Sequence, residues 1–112
     1  MPSNERIRLL RESLNGELYQ DKLELLAREF GALCQDNAEV VVFFVLQNVC
    51  NRIVDVLEGE AVSLDRFNDL TSDIAAQMAS ILLRIEQNKE VSVASLDSLV
   101  GTLFRNIELF RS

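Results

Sequence analysis

The chain has 112 residues, 48% of them hydrophobic, with one proline and no histidine. Its 18 acidic against 11 basic residues leave a net charge of −7. That balance disfavours binding to nucleic acid or an anionic membrane surface through bulk electrostatics, and the apolar content argues against disorder.

In chain order, Ser3 is a good N-cap residue with Pro2 before it. Over Asn4–Leu14, Ile7, Leu10 and Leu14 share one side and Arg6, Arg8 and Arg11 occupy the others, before Asn15-Gly16 stops the helix. The spacing predicts a short first helix with a narrow apolar stripe, packed at the edge of the fold. Such a helix is expected to be easily released, acting as a cover over the apolar flank of the third. Arg6, Arg8 and Arg11 form the basic cluster of the chain. Their ordinary role is a solvated face paired with Glu5 and Glu12; their functional role would be a contact for an acidic partner or a second copy of this chain.

The second helix is expected from about Glu17 to Cys34, with Tyr19, Leu23, Leu26, Phe30 and Leu33 as a seam at alternating steps of four and three. The third, in the stretch Ala38–Glu58, is the most apolar part of the chain and the centre of the fold. Asp36 or Asn37 is its expected cap and Gly59 its end. Val42, Phe43, Leu46, Cys50, Ile53 and Leu57 make its core stripe, and Asn48, Asn51, Arg52 and Asp55 mark the polar side. Running that polar side backwards by helical steps meets Val45, Phe44 and Val41, so the first turns are apolar all round. One flank therefore needs a cover besides the main core.

The fourth helix is expected from Ser63 to near Asn88-Lys89, with a main face of Phe67, Leu70, Ile74, Met78, Ile81 and Ile85. A second strip of small residues, Ser72, Ala75, Ala76 and Ala79, predicts contact with a second neighbour. The fifth starts at Ser92 or Ser95, with Val91 and Leu96 as a hydrophobic staple. Its stripe is Val93, Leu96, Val100, Leu103, Ile107 and Phe110, widened by Leu99 and Phe104. Gly101 lies inside this helix, either admitting a crossing neighbour or serving no packing purpose.

The vocabulary of catalysis is missing. Without histidine there is no Ser-His or Cys-His nucleophile pair and no di-iron Glu-x-x-His motif. The glycines at 16, 31, 59 and 101 form no phosphate-cradling loop. Asp65, Asp69 and Asp73 recur at steps of four, as a solvated acidic face does. Cys50 falls on the core side of its helix, as a small buried hydrophobe. No catalytic residue, cofactor or metal is implied.

The sequence thus predicts an all-α single domain, residues 1–112: an antiparallel four-helix bundle core (17–112) with a short additional N-terminal helix (1–15), five helices in all. The expected function is a non-enzymatic protein–protein interaction module, an adaptor or regulator acting as a homodimer. Its expected surface is Val41, Phe44 and Val45, with Arg6, Arg8 and Arg11. An alternative is a binding protein for a small apolar ligand held between helices near Phe43, Phe44, Phe67 and Phe104. Two cysteines without a disulfide framework, no leader, and an apolar run from Val40 to Leu46 far short of the ~20 residues of a membrane span predict a cytoplasmic protein.

Overall fold

The end of the fourth helix and the start of the fifth are delimited by local chemistry that the sequence carries. The computed structural model describes residues 4–15, 18–34, 40–59 and 64–111, and its helices are α1 (Asn4–Ser13), α2 (Gln20–Leu33), α3 (Val40–Gly59), α4 (Leu64–Glu86) and α5 (Val93–Arg111). No strand occurs among the described residues. The caps expected at Ser3, Asp36 or Asn37, and Ser63 lie outside them. At the start of α5, Ser92 is the cap: its Oγ accepts the Ser95 N–H at 3.2 Å. Val91 and Leu96, the staple pair, are both packed against the core. Helix α4 ends in a left-handed residue, Asn88 at φ 57. The Asn88 N–H donates to the Ile85 carbonyl at 3.0 Å and the Lys89 N–H to the Arg84 carbonyl at 2.9 Å, which is the Schellman pattern.

The buried residues form one cluster drawing on all five helices. Helices α2 and α3 make the most extensive pairing, α4 lies between α1 and α5, and α5 also meets α3. Phe30 of α2 and Phe43 of α3 stack inside it with ring centroids 6.4 Å apart. Gly31 lies directly under the Gln47 side chain of α3, where any Cβ would displace that amide. The fold is thus an all-α bundle of five helices.

Two expectations change and one is refined. Tyr19 is not part of the α2 seam: its backbone is extended (φ −132, ψ 168), its side chain is exposed, and Leu18 takes the core position instead. An extended residue breaks the helical phase, so the side chain before it, not the one on the 3.6-residue period, turns inward. Helix α4 does meet two neighbours, α1 and α5, and of its small strip Ala75 is buried and Ala79 packs against the core while Ser72 and Ala76 face solvent. The first helix does not lie over the bare flank of α3. It packs on α4 with Ile7, Leu10 and Leu14 all buried, three residues at helical spacing that form one inward stripe.

Helix α3 as a whole, Val40–Glu58, is long and apolar enough to cross a bilayer by length and composition, with a mean hydropathy of 1.7. That value extends well beyond the Val40–Leu46 run. In the fold, much of it comes from side chains packed inward: Phe43, Leu46, Cys50 and Ile53 are fully buried, and Asn51, Arg52 and Asp55 lie outside.

Candidate interaction surface

Helix α3 is sealed on one side and bare on the other. Phe43, Leu46, Val49, Cys50 and Ile53 are buried, whereas Val41 and Phe44 are 67% and 58% exposed. A helix turns 100° per residue, so neighbours such as Phe43 and Phe44 leave the axis in very different directions. Val45, between the two sides, is half-buried against the core.

The bare side continues onto α5. A groove of about 290 Å³ runs between the two helices. Its α3 wall is Phe44, Val45 and Val49, with Asn48 and Arg52 along the edge. Its α5 wall is Val100, Leu103 and Phe104. Phe104 is 54% exposed. Asn48 Nδ2 donates to the Phe44 carbonyl at 2.7 Å, which holds its amide along its own helix and leaves the groove lining largely hydrocarbon.

The arginines of α1 occupy a different setting. Arg6 Nη2 meets Glu29 Oε2 of α2 at 2.6 Å. Arg11 grips Glu86 of α4 with two N–H groups, its Nη2 3.2 Å from Oε1. That hydrogen bond to Glu86 raises the Arg11 guanidinium above its ordinary value. Arg8 stays on its own helix, 3.2 Å from Glu12 and 3.7 Å from Glu5. No described residue of α1 lines the groove. The two halves of the predicted surface, Val41–Phe44–Val45 and Arg6–Arg8–Arg11, are therefore not brought together in one groove. Arg6 and Arg11 strap α1 to α2 and α4.

The four phenylalanines expected around a ligand also separate. Phe43 and Phe67 are core residues; only Phe44 and Phe104 reach the groove. Of the expected α5 stripe, Leu99, Leu103 and Ile107 are buried, whereas Phe104, expected to widen it, is exposed. The available signal was phase: residues 93, 100 and 104 share one flank of the helix, and Val93 is exposed like Phe104.

Elsewhere the structure offers little chemistry. A second cavity, of about 300 Å³ between α4 and α5, is lined by Gln77, Ile81, Ala94, Ser95 and Ser98. It holds no ionisable group. Gln77 Nε2 donates to Thr102 Oγ1 at 2.7 Å, and that hydroxyl donates to the Ser98 carbonyl at 2.8 Å. Among the described residues, no buried side-chain nitrogen or oxygen lacks a partner, and no cluster of acids and thiols could hold a metal. Cys34 and Cys50 are free thiols. Burial pushes the Cys50 thiol up to about 12, so it stays protonated and inert at neutral pH. Asp69 and Asp73 are exposed.

No family model matches this chain, and no curated protein or solved structure matches it either.

Proposed function

We propose that this protein is a non-enzymatic helical interaction module, an adaptor or regulator, acting as a homodimer through the bare side of α3. The observation that carries the reading is the exposure of Val41 and Phe44, at 67% and 58%, on a helix sealed along its other side. Contiguous apolar surface of this kind marks interfaces in soluble proteins, because leaving it in water costs roughly 25 cal/mol per Å². The absence of histidine from the whole chain supports a role without acid–base or nucleophilic chemistry. Two free thiols fit a reducing, cytoplasmic setting.

Light scattering across the micromolar range tests the reading. The wild type is expected to have the mass of two chains. Phe44→Asp is expected to give a folded monomer, since it sets a charge in the middle of the contact. A wild type that stays monomeric at high micromolar concentration refutes the proposal. A Phe44→Asp variant that unfolds assigns Phe44 to the domain's own core.

The groove's hydrocarbon lining favours a second reading, a small apolar ligand between α3 and α5. Native mass spectrometry separates the two: a ligand adds a constant mass to each chain, and a dimer doubles the chain.

A further inference from the structure

We infer that the interface is isologous and built from two helices, with Phe44 of each chain seated in the partner's α3/α5 groove, against the partner's Phe104. The inference rests on the homodimer reading and specifies which surfaces meet. A two-fold contact uses one patch against itself, so that patch must carry both a projection and a recess. Here Phe44 projects, 58% exposed, from the α3 wall of a groove of about 290 Å³. Cavities of ~150 Å³ already accommodate benzene, so the groove has room for a phenyl ring.

Charge permits a second copy as the occupant. Two chains of net charge −7 repel each other over distances of about a Debye length, ~10 Å. No charged side chain occurs from residue 40 to 51 or from 98 to 104, the segments that supply most of the groove and its exposed rim. Two copies meeting here bury no charge at the centre and keep Arg52, Asp97 and Arg105 at the edges. Area agrees. The exposed parts of Val40, Val41, Phe44 and Phe104 amount to on the order of 400 Å² of apolar surface. A standard interface takes about 800 Å² per partner, a little over half of it apolar.

Isotope-filtered NMR on a mixture of labelled and unlabelled full-length chains tests this. Contacts are expected from the Phe44 ring of one chain to Val100 and Leu103 methyls of the other. Phe104→Ala should weaken the dimer at least ~30-fold, as loss of a hot spot does. Val93→Ala, exposed on α5 but outside the groove, should change the affinity less than ~3-fold. Circular dichroism shows whether each variant keeps its helices. A dimer whose intermolecular contacts lie elsewhere, or which Phe104→Ala leaves unchanged, overturns this inference and leaves the homodimer standing. A wild type without any dimer removes both.

Discussion

Over its first turns the two sides of α3 are made from the same kinds of residue and end in opposite environments. Towards α2, Phe43 stacks on Phe30 and Gln47 closes over Gly31, so that side is filled. Towards α5 the helices meet less extensively, Phe44 and Phe104 stand apart in solvent, and a groove remains. Hydrophobicity does not distinguish Phe43 from Phe44; the presence of an opposing helix does. A helix apolar around its first turns has more apolar surface than one small domain can cover, and the remainder is available for binding.

The largest expected effect breaks the filled side. Phe43→Ala should destabilise the fold by about 3–5 kcal/mol, through lost burial and the cavity left behind. Phe44→Ala, measured by urea denaturation at a concentration too low for association, should stay within ~0.5 kcal/mol of wild type. Equal costs at the two positions would erase the contrast.

Cys50, on the filled side, sharpens the comparison through pH. The thiol ionises at 9.0 when unperturbed and at about 12 in the fold. Below pH 9 both states carry the proton and stability is unaffected. Between pH 9 and 12 the unfolded thiol has lost its proton while the folded one keeps it, so stability falls as pH rises, by up to ~4 kcal/mol. Subtracting the same titration of Cys50→Ala isolates this contribution, and a difference curve flat to pH 12 would refute it. At neutral pH a thiol reagent should label Cys34 far faster than Cys50.

A small gain in stability is expected on α5, on the open side. A Cβ on Gly101 would meet only Arg105 Nη1, at 3.4 Å and from its own helix. No crossing helix needs that gap among the described residues. Gly101→Ala should therefore raise the unfolding free energy by about 0.5–1 kcal/mol, by restricting the unfolded chain. A loss of stability would reveal a neighbour that requires the glycine.

The sequence by itself determined the helices and most of their inward faces. Caps and periods are local: Ser92 and Ser95 are three residues apart, and the α4 stop at Asn88 uses bonds spanning at most five residues. Leu23, Leu26, Phe30 and Leu33 repeat at helical steps and are all buried. Only the tertiary structure decided which helix covers which flank. It set α1 on α4, used Arg6 and Arg11 as straps to Glu29 and Glu86, turned Leu18 inward in place of Tyr19, and left Phe104 outside. Periodicity records the direction in which a side chain leaves its own helix. Whether it meets protein or water there depends on elements tens of residues away, whose placement no local pattern encodes.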